Sequence, residues 1–286
     1  MVRRTLGNHH IGPDTLLVTS DSTQTEPVTA ETEGDHLSDT RDETEDDHPA
    51  DIRDETEALR ALIARARVVL FDFDGPICRL FAGHTAEHVA VDVVDWLAGR
   101  GLHGLLTEPE RQSPDPQVVL RAVDRRHPGS DLVAELEERL TQEELRATAT
   151  AMPTAYADPL IRTWTAVGSR LAVATNNSPR VVRAYLHGRG LTSCFTPHIY
   201  GRTHDLQHLK PDPHCLNRAL NAMGAAPSSS LMIGDTPTDL IAANRAGVPF
   251  LGYARNHSKE KLLRDAGATA VVDSLSTVLD MVRAQT

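Results

Sequence analysis

The chain has 286 residues, 40% of them hydrophobic, and a formal net charge of −11. Residues 21–60 carry 15 Asp/Glu against 3 Arg, while residues 61–286 balance 24 acidic with 24 basic side chains, so the acidity belongs to one end. There is no basic footprint for nucleic acid, no apolar run of membrane-spanning length, and no close pairing among the three cysteines, which argues against a disulfide framework and suits a reducing, cytoplasmic setting.

Residues 1–58 are rich in Thr, Asp, Glu and Ser, lack apolar periodicity, and repeat Arg-Asp-Glu-Thr-Glu at 41–45 and 53–57. Arg3 and Arg4 lead into Gly, Asn, His and Pro rather than an uninterrupted apolar stretch, so no secretory leader is expected. Such a segment cannot bury enough surface to offset the entropy of ordering, and it is expected to be a disordered acidic tail.

From about residue 60, apolar runs of strand length alternate with segments of helical period, the pattern of an α/β fold with a parallel sheet. Strands are expected at 67–72, 170–175, 197–200, 230–235, 248–252 and 269–272. Ser178-Pro179 predicts a helix start and Gly188 its end; Asp212-Pro213 and Gly224 bracket a second helix, and Asp239 and Gly247 a third. Residues 80–156 contain no convincing strand and show helical spacing over 85–98, 117–124, 130–140 and 142–151. That is far more chain than one crossover needs, so an all-helical inserted domain is expected over 80–156, with the core formed by 59–79 and 157–286.

Four predicted strand ends carry reactive side chains: Asp72 and Asp74 in the first, Thr175-Asn176-Asn177-Ser178 in the second, Lys210 before Pro211-Asp212-Pro213, and Asp235 with Asp239 in the fourth. Residues two apart on a strand share a face, so Asp72 and Asp74 can converge on one atom. A third carboxylate at Asp235 and a fourth at Asp239 call for a hard cation, and Mg²⁺ takes oxygen ligands and waters. Thr175 and the N–H groups after it can cradle a phosphate oxygen. Lys210 offers a point charge in a chain with only three lysines, at 210, 259 and 261.

In this order the four motifs resemble the haloacid dehalogenase superfamily of aspartate-nucleophile hydrolases, over roughly residues 65–275, and most closely its phosphoglycolate-phosphatase-like branch with a helical C1 cap. The resemblance implies a Rossmann-like core with helices on both faces of the sheet. It implies Asp72 as nucleophile and Asp74 as acid and base, with Thr175, Asn176, Asn177, Gly75 and Lys210 around the phosphoryl group. Mg²⁺ would be held by Asp72, Asp74, Asp235 and Asp239, and the partner would be a small phosphorylated metabolite.

The first motif departs from that branch after Gly75, continuing Pro76-Ile77-Cys78-Arg79-Leu80. Arg79 stands where an acidic residue is usual and is a candidate substrate contact. His84, His88, Arg125, Arg126 and His127 are further candidates in the insert, and Trp96 is expected in its core. The insert lacks the lysine that phosphonate hydrolases of the superfamily need, and the dehalogenases lack the second acid of the pair. A phosphosugar mutase and a non-catalytic binding protein of the same fold are the alternatives, and oligomeric state is not readable.

Overall fold

The computed structural model describes residues 49–285. The expected disordered tail therefore falls, through residue 48, outside the described residues. Over 49–58 that expectation is corrected, because helix α1 spans Pro49–Arg65. Composition hid this helix: Leu59 and Ile63, one turn apart, are buried within an otherwise charged stretch.

Strand β1 (Val68–Phe71) leads through a turn to β2 (Cys78–Arg79). Helices α2 (Ala86–Gly99), α3 (Glu108–Arg111), α4 (Pro116–Arg126) and α5 (Asp131–Thr148) follow, and then β3 (Met152–Pro153). The chain continues with α6 (Ala157–Ala166), β4 (Arg170–Ala174), α7 (Pro179–Gly188), α8 (Thr192–Phe195), β5 (Ile199–Tyr200) and α9 (His214–Met223). It ends with β6 (Ser230–Gly234), α10 (Pro237–Ala246), β7 (Phe250–Tyr253), α11 (His257–Asp265), β8 (Val271–Val272) and α12 (Leu275–Arg283).

Six parallel strands form one sheet in the order β5-β4-β1-β6-β7-β8, with β1 at its centre. All four residues of β1 are buried, as a strand covered on both faces requires. Its alternation divides the core. Val69 and Phe71 join α6, α7 and α12 through Trp164, Val182 and Val278, whereas Val68 and Leu70 join α9 and α10 through Leu216 and Leu240. A third cluster lies in the insert, where Val89, Val93 and Leu97 of α2 meet Leu120 and Val123 of α4 and Leu136 and Leu140 of α5. Trp96 is only partly buried against this cluster, with the Arg100 guanidinium 4.0 Å over its ring.

Three local expectations change. The helices expected at 130–140 and 142–151 are one helix, α5. The helix expected from Asp212-Pro213 starts at His214, with the Asp212 carboxylate accepting the His214 N–H. The helix expected to open at Asp239 opens at Pro237, with Thr236 as N-cap and Asp239 completing a capping box. The insert also contains one strand, because β3 pairs antiparallel with β2. Among the described residues, no helix is long and apolar enough to cross a membrane.

Candidate active site

The carboxyl ends of the central parallel strands are where an open α/β sheet leaves room for a ligand. A cleft of about 620 Å³ opens there, lined by Asp72, Asp74, Thr175, Asn176, Asn177, Lys210 and Asp239 from the core and by Arg121 and Glu144 from the insert. Residues separated by up to 167 positions in the chain thus share one wall: Asp72, Asp74 and Thr175–Asn177 follow strands, Lys210 precedes α9, and Asp239 lies in the first turn of α10.

Asp72 follows β1 and is fixed by its own N–H, which donates to the Ile233 carbonyl at 2.8 Å. Its Oδ1 lies 2.8 Å from Lys210 Nζ. Burial pushes the Asp72 carboxyl up, and the Lys210 ammonium pulls it back. Lys210 is 2% exposed and also donates to Asp239 Oδ1 at 2.5 Å and to the Ala174 carbonyl at 3.0 Å. Burial works against its charge, but Asp239 and Asp72 outweigh it and hold the ammonium above the ordinary lysine range.

Asp74 sits in the turn after β1, where its Oδ1 accepts the Leu80 N–H at 2.8 Å. Burial pushes its carboxyl up to about 6 against that hydrogen bond. Asp235 is pushed up to about 7, again by burial, despite an ion pair with Lys259. Gly75 runs at φ +125°, and a Cβ there would lie 2.3 Å from the Asp235 carboxyl carbon, so only glycine lets this turn pass beside Asp235.

Carboxylate oxygens of Asp72, Asp235 and Asp239 lie within 4.8 Å of one another. Asp235 Oδ1 is buried and accepts no hydrogen bond, whereas Asp72 Oδ1 is held by Lys210 Nζ at 2.8 Å. A buried open acceptor among three carboxylates fits a hard divalent cation with oxygen ligands. Asp239 fits it less directly. Its Oδ1 takes Lys210, and its Oδ2 accepts from the Asp235 N–H, the Thr236 N–H and the Thr236 hydroxyl.

The loop after β4 is held from several sides. The Asn176 amide bridges the Lys210 backbone, accepting from its N–H at 2.7 Å and donating to its carbonyl at 3.2 Å. The same carbonyl accepts Arg121 Nη2 at 2.7 Å. Thr175 Oγ1 donates to Asn177 Oδ1 at 3.1 Å, while Asn177 Nδ2 donates to Glu144. The side chains of Asn176 and Asn177 are therefore engaged with protein.

Arg79 does not join the first cleft. It is exposed, donates to Met152 Sδ, and lines a neighbouring cleft of about 760 Å³ with Asp74, Gly75, Asp235 and Lys259. None of His84, His88, Arg125, Arg126 and His127 lines either cleft. His84 contacts Glu143, and Arg125 and Arg126 pair with Glu110. Sequence reasoning missed Lys259, Arg121, Glu144 and Arg202. The rarity of lysine was a usable signal for Lys259; nothing local marked the other three.

The chain is 37% identical to phosphoglycolate phosphatase of Rhodospirillum rubrum over 134 residues, 47% of this chain and 54% of that one, so it spans about half the length of this relative. Phosphoglycolate phosphatase 1 of Pseudomonas aeruginosa is 28% identical over 228 residues, 74% of this chain and 78% of its own length. Among solved structures, a haloacid dehalogenase-like family protein from Streptococcus pneumoniae matches with a TM-score of 0.54 at 16% identity, covering 76% of this chain and 98% of that one. CbbY from Rhodobacter sphaeroides, in complex with xylulose-1,5-bisphosphate, matches with a TM-score of 0.54 at 21% identity, covering 74% and 95%. At such identities these two speak for the fold. The family model of haloacid dehalogenase-like hydrolases matches residues 66–247, which hold every one of the four strand-end motifs, and the chain belongs to that family.

Proposed function

We propose that this chain is a Mg²⁺-dependent phosphomonoesterase acting on a small phosphorylated metabolite in the cytoplasm. The observation that carries the reading is the pairing on one cleft floor of two carboxyls in different settings. Asp72 is tied to a buried ammonium, and Asp74 is pushed up to about 6. Two acids whose surroundings differ in this way suit different tasks.

Asp72 attacks phosphorus, and the bond from phosphorus to the leaving alcohol breaks, leaving the phosphoryl group on the Asp72 carboxylate. Asp74 gives its proton to the departing oxygen. As a carboxylate it then takes a proton from water, whose oxygen attacks the same phosphorus and frees Asp72 and inorganic phosphate. Thr175 and the N–H groups of its loop receive the phosphoryl oxygens, and Lys210 keeps Asp72 charged and in place. Asp72, Asp235 and the Asp74 main-chain carbonyl would hold Mg²⁺, with Asp239 orienting Lys210 and the Asp235 backbone behind them. When bound, the cation neutralises phosphoryl charge, which is most of what phosphoryl transfer asks of a protein.

The relatives' name makes phosphoglycolate the first substrate to try, with a generic aryl phosphate beside it. Native protein should release phosphate from one or both only with Mg²⁺ present. Asp72→Asn keeps the shape of the side chain and should lose at least about a thousandfold in turnover. Full cation-dependent turnover by Asp72→Asn would refute the mechanism.

A further inference from the structure

Glu144 belongs to α5 in the insert, yet its side chain is 1% exposed and reaches the core. Its carboxylate takes four hydrogen bonds. Oε1 accepts from Asn177 Nδ2 at 3.1 Å and Arg202 Nη1 at 2.8 Å; Oε2 accepts from the Ser178 N–H at 3.1 Å and Arg202 Nη2 at 3.2 Å. Arg202, after β5, has a side chain with 0% exposure. Its remaining donors meet Glu137 Oε1 at 2.9 Å, Thr141 Oγ1 at 2.9 Å and the Asn176 carbonyl at 3.1 Å. Gly201 permits the approach, since a Cβ there would lie 2.4 Å from the Asn177 carbonyl oxygen.

Two of those four bonds lead to the phosphate loop. An amide has one accepting and one donating end. With Nδ2 held by Glu144, Asn177 must turn Oδ1 toward Thr175, whose hydroxyl donates to it at 3.1 Å while accepting the Asn177 N–H at 3.2 Å. A carboxylate that served only to fasten α5 could pair with Arg202 alone, and an apolar pair would fasten it without desolvating charge.

We infer that Glu144 is a positioning residue for the phosphoryl cradle: the insert supplies the carboxylate that sets the Asn177 amide and the Ser178 N–H, and through Asn177 the Thr175 hydroxyl. Arg202 holds that carboxylate in place. The inference rests on the phosphomonoesterase reading and deepens it, because seating of the insert and ordering of the cradle become one event. Glu144 acts without touching substrate.

The test uses the full chain. Removing Glu144 alone strands the buried Arg202, so the main variant is Glu144→Leu with Arg202→Met, which removes both charges together. Its melting temperature should stay within a few degrees of native. Amide exchange over residues 176–178 should quicken at least tenfold, and the inhibition constant of inorganic phosphate should rise at least tenfold, with the larger change in KM than in kcat. Should the double variant not fold, Glu144→Gln, which keeps the volume and loses one acceptor, is read by the same exchange and inhibition measurements. Native exchange over 176–178 together with a native phosphate constant, in whichever variant folds, would overturn the inference. Exchange is measured without turnover. A native protein that hydrolyses nothing, paired with a variant whose loop exchanges faster, would sink the phosphomonoesterase reading and leave the positioning role standing.

Discussion

Lys210→Met isolates the charge balance at the base of the cleft. The ammonium stands 2.8 Å from Asp72 and 2.5 Å from Asp239, with all three side chains buried. Methionine fills much of the same volume, so the loss is of charge more than of packing. Two carboxylates then face each other without a cation. Removing one partner of a buried pair costs about 3–5 kcal/mol, which in a chain of this size corresponds to a melting temperature lower by roughly 10 °C. The sign with pH follows from the same geometry. Without Lys210 the Asp72 carboxyl, already raised by burial, rises further above its unfolded value. Such a group favours the folded state below the unfolded carboxylate range and loses that contribution as pH climbs through the raised folded value. The deficit of the variant should therefore be larger at pH 8 than at pH 5. Thermal melts followed by circular dichroism at the two pH values, without added cation, measure both effects. Turnover should fall by about 10²–10³-fold. A variant melting within about 2 °C of native at pH 8 would refute the reasoning, since the carboxylates would then not depend on the ammonium.

Gly75→Ala places a methyl group against the Asp235 carboxyl at a backbone angle that alanine rarely adopts. It should cost about 1–3 kcal/mol and weaken Mn²⁺ binding, read by electron paramagnetic resonance, by tenfold or more; native Mn²⁺ affinity would contradict it. Glu110→Gln tests the insert. The Thr107 N–H, then Arg126, holds the Glu110 carboxyl down at about 2. A depressed carboxyl contributes stability above its unfolded value and loses it as pH falls toward the folded one. The variant should melt about 2–4 °C lower at pH 7, and the gap should close between pH 4.5 and 2; a gap independent of pH would contradict the assignment.

The residues legible in the sequence were those whose chemistry is announced locally. Asp72, Thr175, Lys210 and Asp235 each end an apolar run or precede a helix start, so pattern and turn signals sufficed to place them. Thr141 shows the opposite case. A polar residue there reads as a break between two helices, yet Thr141 Oγ1 donates to Glu137 and accepts from Arg202, and α5 runs through it. A buried hydrogen-bonded side chain interrupts the apolar period without interrupting the helix. Glu144 and Arg202 lie 58 positions apart and look like surface charges until tertiary structure brings them together. Asp239 is legible in the sequence as a carboxylate near the others but not as the N3 member of a capping box, because the expected helix opens at Asp239 itself rather than at Pro237.

The short pairing of β2 with β3 has a consequence for how such chains diversify. Cys78 lies opposite Pro153 and Arg79 opposite Met152, so the outbound and returning segments of the insert cross side by side. A segment with adjacent ends can be exchanged for another of different length with little strain on the sheet, because closing the gap costs little. Arg202 sets a condition on that exchange. A replacement lacking a carboxylate at the place of Glu144 would leave a guanidinium stranded in the interior, and the recombined protein would fail in folding before its substrate preference could be tried. Recombination at this junction is open in geometry and selective in charge.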